Sequence, residues 1–141
     1  MTLATILQNK DREIVRAAPD DTVKTVIDLL ADRRIGALPI VEDGKVIGIM
    51  SERDVIYALR RDGAAILDWP VARVMTRPAI TVEPSMSMLG GLSLMTRRRV
   101  RHLPVVENGR MVGFVSIGDL VKARIDRIEQ EAEALRAYIA S

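Results

Sequence analysis

The chain has 141 residues and no cysteine, and its 21 basic and 19 acidic side chains leave a net charge of +2 at pH 7. Disulfides, thiolate metal sites and thiol catalysis are therefore excluded, and the balance lacks the basic excess of a nucleic-acid-binding surface. Hydrophobic residues make up 48% of the chain and aromatics only 3%, so the core is expected to be Val, Ile, Leu, Met and Ala in a mixed α/β protein.

A single histidine, His102, does not build a metal site, and none is expected. The opening stretch Met1–Leu7 lacks a charged n-region and a long apolar run, so no secretory signal is read there. No run of 18 apolar residues occurs, so no membrane span is expected. These features point to the cytoplasm. The length suits one compact domain or two very small units sharing a core, because a unit of about 70 residues alone buries little surface.

In chain order, the first element is a short apolar strand at Ile14–Val15, closed by Pro19. Asp20 and Asp21 then offer an N-cap. Val23, Val26, Ile27 and Leu30 follow at i, i+3, i+4 and i+7, the spacing of an amphipathic helix. An apolar strand over 37–41 comes next. Asp43–Gly44 tolerates positive φ and predicts a tight hairpin into a strand over 46–50. A helix starts at Ser51. A linker over about 61–75 contains Gly63, Trp69 and Pro70. The pattern then begins again: a strand at Ile80–Val82, Pro84, and a helix carrying Met88, Leu92 and Met95. Gly90–Gly91 weakens that helix by about 1 kcal/mol per glycine. A strand over 102–106, the Asn108–Gly109 turn, a strand over 111–115 and a helix from Ser116 complete the second round.

The recurrence is a duplication. Residues 19–56 match 84–121 at a constant spacing of 65 without a gap. Leu38-Pro39-Ile40-Val41 lies over Leu103-Pro104-Val105-Val106, Arg33-Arg34 over Arg98-Arg99, Ser51 over Ser116 and Asp54 over Asp119. Two such units are expected to pack through their sheets about a pseudo-twofold axis, leaving one cleft per repeat.

The last helix carries a separate signal. Val121, Ile125, Ile128, Ala132, Leu135 and Ile139 recur at spacings of 4, 3, 4, 3 and 4, an apolar seam of period 3.5. A helix from Ile117 to Ala140 is about 35 Å long at 1.5 Å per residue, more than one small unit needs. Either it folds back over its own sheet or it makes a homodimer contact, the preferred reading, with Leu3, Ile6 and Leu7 as additional apolar surface.

Two segments carry chemistry. In Gly48-Ile49-Met50-Ser51-Glu52-Arg53-Asp54, echoed by Gly113-Phe114-Val115-Ser116-Ile117-Gly118-Asp119, a serine sits at a strand-to-helix junction with an aspartate three residues on. This is the pattern of a capping box. It is also a place for a nucleotide, because a helix N-terminus attracts phosphate and an ionised aspartate can accept both hydroxyls of a ribose. In Arg34-Ile35-Gly36-Ala37-Leu38-Pro39, echoed by Arg99-Val100-Arg101-His102-Leu103-Pro104, the chain passes from helix end to strand. That segment is either an ordinary connection or a pocket edge whose backbone groups read an adenine, with Gly36 and Ala37 leaving room for the base. The arginines of 97–101 read as a solvated helix end, since no interleaved aromatics offer a stacking platform for nucleic acid. Met75 reads as core filler. No nucleophile–base pair, metal cluster or phosphate-transfer loop is visible, so no catalytic residue and no enzyme is expected.

Together these motifs resemble a tandem pair of CBS domains, a Bateman module, over residues of about 7–125. The resemblance implies an α/β (α+β) fold of two βαββα CBS units packed by pseudo-twofold symmetry, over 7–65 and 72–128, with a C-terminal helix extension over 129–141. It implies a regulatory adenine nucleotide: AMP first, with ATP, NAD(H) or S-adenosylmethionine as alternatives. By that resemblance Asp54 and Asp119 take the ribose diol, and Ser51 and Ser116 meet the phosphate. Lys10 and Arg53 would serve the first cleft, and Arg99, Arg101 and His102 the second. Val15, Gly36, Ala37, Leu38, Pro39, Met75, Thr76, Thr81, Leu103 and Pro104 complete the candidate binding set. The expected partners are the nucleotide, a second copy of the chain and a separate effector protein. The rival reading is a structural dimerisation module with vestigial clefts.

Overall fold

The computed structural model describes residues 1–10 and 13–141. Its elements are α1 (Leu3–Gln8), α2 (Val23–Arg33), β1 (Ala37–Glu42), β2 (Lys45–Ser51), α3 (Glu52–Asp62), α4 (Met88–Arg98), β3 (His102–Glu107), β4 (Arg110–Ser116) and α5 (Ile117–Ala140). Two 3₁₀ turns, Gly63–Asp68 and Val71–Arg73, carry the chain between the repeats.

Each repeat is built on an antiparallel hairpin, β1 with β2 and β3 with β4. Asp43 and Gly44 both have positive φ, as do Asn108 and Gly109, which is the two-residue turn that matches strand twist. The register slips at the same place in both hairpins, between Ile40 and Val41 and between Val105 and Val106.

The strands expected at Ile14–Val15 and Ile80–Val82 are not formed. In their place stand single parallel bridges, Ala17 with Ile40, two residues beyond Val15, and Val82 with Val105. One residue of each approach lies beside the hairpin before Pro19 or Pro84 turns the chain toward its helix. The N-cap of α2 is also not Asp20 or Asp21 but Thr22, whose hydroxyl accepts from the Thr25 N–H at 3.2 Å. Asp21 closes the preceding turn instead, accepting from the Ala18 N–H at 2.8 Å. Ser87 caps α4 in the equivalent way. Gly91 is explained by packing, since a Cβ there would lie 3.2 Å from Leu120 on α5.

Two hydrophobic clusters result. The first gathers Val23, Val26, Leu38, Ile40 and Met50 with Ile66, Val71 and Met75 from the linker. The second gathers Met88, Met95, Leu103, Val105, Val115 and Leu120 with Leu3 and Ile6 from α1. The linker and the N-terminal segment therefore do the same job on opposite repeats. Val71 N–H donates to Asp21 O and Leu3 N–H to Met86 O, Ala72 N–H to Pro19 O and Ala4 N–H to Pro84 O, and Val23 N–H to Trp69 O and Met88 N–H to Met1 O. The N-terminal residues thus match the linker at a spacing of 68, not 65, and they cover the second repeat. The two hairpins touch where Met111 N–H donates to Gly44 O at 3.1 Å.

The fold-back reading of α5 does not hold. Only Leu120 on this helix is buried, while Val121, Ile125, Ile128, Leu135 and Ile139 are 43–74% exposed.

Candidate functional site

The serine–aspartate motifs form capping boxes in both repeats. Ser51 caps α3, with Asp54 N–H donating to its hydroxyl and Ser51 N–H donating to the Asp54 carboxylate at 2.9 Å. Ser116 and Asp119 repeat this at the start of α5, with distances of 3.1 and 2.8 Å. The box fixes each carboxylate at the mouth of its helix.

The two carboxylates differ in what else they touch. Asp54 accepts from the Thr76 hydroxyl on Oδ1 at 2.7 Å and from the Ser51 hydroxyl on Oδ2 at 2.9 Å. Asp119 accepts from Lys10 Nζ on Oδ2 at 2.7 Å, and Lys10 also donates to Phe114 O at 2.7 Å. Lys10 therefore belongs with the second repeat's aspartate, not with the first cleft as the sequence suggested. The reason is the crossing of the N-terminal segment onto the second repeat. Burial by itself raises the Asp119 carboxyl. The hydrogen bonds from Lys10 and Ser116 and the ammonium charge together outweigh it and hold the group below the usual carboxylate range.

Around Asp119 the structure opens a cleft of about 410 Å³ between the repeats, within the range of small-ligand sites. It brings together six of the residues singled out from sequence: Lys10, Val15, Ala37, His102, Ser116 and Asp119. Sequence reasoning missed Leu7, Arg33, Ile35 and Phe114, which also line it. A signal was available for Ile35, which lies in the connection over 34–39 read as a pocket edge; Arg33 is the last residue of α2, before the left-handed cap Arg34.

His102 stands at the junction of the repeats. Its ring stacks on Phe114 with centroids 5.5 Å apart and planes 14° from parallel. A Cβ on Gly36 would lie 3.6 Å from it, an ordinary contact, and 2.9 Å from Glu52 Oε1, the end of a flexible side chain that would have to shift. Burial pushes the imidazole below its ordinary value. Lys10 and Arg101 add to that effect, and Asp119 and Glu52 oppose it. His102 occupies the repeat position of Ala37, and both residues line the Asp119 cleft.

Other sequence candidates sit elsewhere. Leu38 and Leu103 are fully buried in the two cores. The carbonyls of Gly36, Pro39, Arg101 and Pro104 accept backbone N–H groups from Glu52, Ala17, Ile117 and Val82, which ties the helix–strand connections into the fold. Arg99 takes the left-handed cap position of α4. Arg53, Thr81 and Arg101 are exposed and do not line the Asp119 cleft. Met75 lies against Gly48, where a Cβ would come within 2.6 Å of its Sδ. Leu7 stands in the same relation to Gly113.

Two small hairpin units, duplicated about an axis with a capped aspartate in the cleft between them, define a tandem-repeat class of fold. The CBS domain family matches residues 10–61 and again 71–126. The chain belongs to that family, as a tandem CBS pair. The CBS domain-containing protein CBSX3, mitochondrial, of Arabidopsis thaliana is 33% identical over 98% of this chain and 71% of its own length. The CBS-domain containing protein ATU1752 of Agrobacterium tumefaciens superposes with a TM-score of 0.83 at 37% identity, covering 88% of this chain and 99% of that one. CBSX2 in complex with AMP shares the fold at 22% identity, with a TM-score of 0.74 over 89% of this chain and 96% of that one. No helix among the described residues is long and apolar enough to cross a membrane.

Proposed function

We propose that this chain is a cytoplasmic, homodimeric adenine-nucleotide sensor that acts on a separate effector protein and catalyses no reaction itself. The Asp119 cleft carries this reading. It joins a carboxylate able to accept a ribose diol, a serine at a helix N-terminus able to meet a phosphate, and apolar walls from Leu7, Val15 and Ile35. Two fold relatives crystallised with adenosine ligands support the ligand class: CBSX2 with AMP, and the MJ0100 CBS pair with 5′-methylthioadenosine and S-adenosyl-L-methionine. AMP is the favoured ligand, with ATP, NAD(H) and S-adenosylmethionine behind it. Because the cleft lies between the repeats, a ligand that binds one arrangement of them better shifts the pair toward it, and the effector reads that shift.

Calorimetric titration of the nucleotide-stripped protein with AMP, ATP, NADH and S-adenosylmethionine tests the reading. Binding is expected for at least AMP and is lost in Asp119→Ala. The fold survives that change, because losing a cap costs about 1 kcal/mol. If none of the four produces heat or a thermal shift, the chain is a dimerisation module with vestigial clefts.

A further inference from the structure

We propose that Lys10 is the specificity-determining residue of the Asp119 cleft and makes it selective for adenosines that carry a phosphate over neutral or cationic ones. The inference rests on the nucleotide-binding reading above and names the charge class of its ligand.

The argument starts from what the carboxylate already holds. Lys10 Nζ lies 2.7 Å from Asp119 Oδ2, and both side chains are about a quarter exposed, 26% and 28%. Both hydrogen bonds to this carboxylate, from Lys10 Nζ and from the Ser116 N–H, fall on Oδ2, so a ribose diol that takes both carboxylate oxygens competes with Lys10 for Oδ2. When the diol displaces Lys10, the ammonium loses its counter-charge in a half-buried setting, which is unfavourable unless a new anion meets it. A phosphate on the same ligand supplies that anion. The ammonium has three donors, and one of them stays on Phe114 O, so the group can swing without leaving its anchor. Adenosine leaves Lys10 without an anion, and a sulfonium ligand adds a second positive charge beside it.

Among the described residues the other repeat lacks this device. At Asp54 the equivalent hydrogen bond comes from the neutral Thr76 hydroxyl, whose displacement strands no charge. Lys10 also stands where two hollows meet. It and Asp119 line both the 410 Å³ cleft and a neighbouring hollow of about 490 Å³ between α1 and α5 that contains Lys122 and Arg127. The cation therefore has open space on both sides, and the side away from the cleft carries Asp126 as well as Lys122 and Arg127.

The test is calorimetric titration of the full chain with AMP and with adenosine, for wild type, Lys10→Met and Lys10→Arg. The wild type is expected to bind AMP about ten- to a hundred-fold more tightly than adenosine, the scale of a hydrogen bond to a charged group. Lys10→Met is expected to bring the two ligands within about three-fold of each other, mainly by weakening AMP, and Lys10→Arg to keep most of the discrimination. Thermal melts establish that each variant is folded, and Lys10→Gln replaces Lys10→Met if that variant does not fold. Equal affinity of the wild type for both ligands, or an unchanged ratio in Lys10→Met, overturns the selectivity while leaving nucleotide binding standing. Failure of the wild type to bind either ligand overturns the binding reading itself.

Discussion

His102 shows how one side chain records the junction between the repeats. Its imidazole is pushed below the ordinary value of 6.5, first by burial and then by Lys10 and Arg101, against the pull of Asp119 and Glu52. The unfolded chain takes up this proton near 6.5, and the folded chain does so only at lower pH. Between those two values the unfolded state binds more protons, so stability rises with pH across that window. The penalty is absent above 6.5 and complete below the folded value. Chemical denaturation midpoints are therefore expected to fall as pH drops from 7.5 to 5, and His102→Gln is expected to flatten that slope. An unchanged slope in the variant would assign the pH dependence to other groups. Asp119 acts in a separate range. Its folded value is lowered, so its contribution is present above the ordinary carboxylate value of 3.8 and is lost as pH falls through the folded one.

At the scale of elements, α5 makes the clearest demand. Its first turn is anchored by Leu120 and the Ser116–Asp119 box, but the seam beyond it is unpartnered, with Ile125 and Ile128 50% and 47% exposed. A 24-residue helix with an apolar stripe of period 3.5 packs well against another of its kind. The chain is expected to sediment as a dimer, and Ile125→Glu with Ile128→Glu to sediment as a monomer whose far-ultraviolet dichroism is nearly unchanged. A monomeric wild type would remove the seam as a dimer contact. This helix, both hairpins and both capping boxes were legible in the sequence, because each rests on local rules: an apolar period, Asp-Gly and Asn-Gly turns, and Ser-x-x-Asp at a helix start. The lone bridges at Ala17 and Val82 were not legible as such. An apolar pair before a proline reads the same whether one residue or three join the sheet. The partner of Lys10 was hidden for a different reason. The N-terminal segment and the linker share only apolar character, Leu3 with Val71 and Leu7 with Met75, and their spacing departs from the 65-residue repeat. Sequence proximity therefore pointed Lys10 to the wrong aspartate.

At the scale of the whole molecule, that crossing makes the pair one cooperative object. The first core is closed by the linker and the second by the chain's own N-terminus, so neither repeat is complete from its contiguous βαββα stretch. Leu3 is fully buried and Ile6 is 7% exposed. Burying two such side chains contributes about 3–6 kcal/mol, comparable to the whole stability of many small domains, about 5–15 kcal/mol. Removing residues 1–8 is therefore expected to lower the urea midpoint of the protein substantially and to split a single transition into two, with the second repeat unfolding first. The backbone bonds from Leu3 and Ala4 to Met86 and Pro84 are lost in the same deletion. Lys10, no longer held by α1, is also released from Asp119, so nucleotide binding should weaken even at temperatures where the truncated chain is folded. Alanine at both Leu3 and Ile6 gives a milder version that keeps the backbone bonds, and its loss of stability should fall between wild type and the truncation. A truncated chain that melts with the wild type's midpoint in one transition would show that the second core closes without the N-terminal segment, and the hydrogen bonds that mirror the linker's would then be contacts without energetic weight.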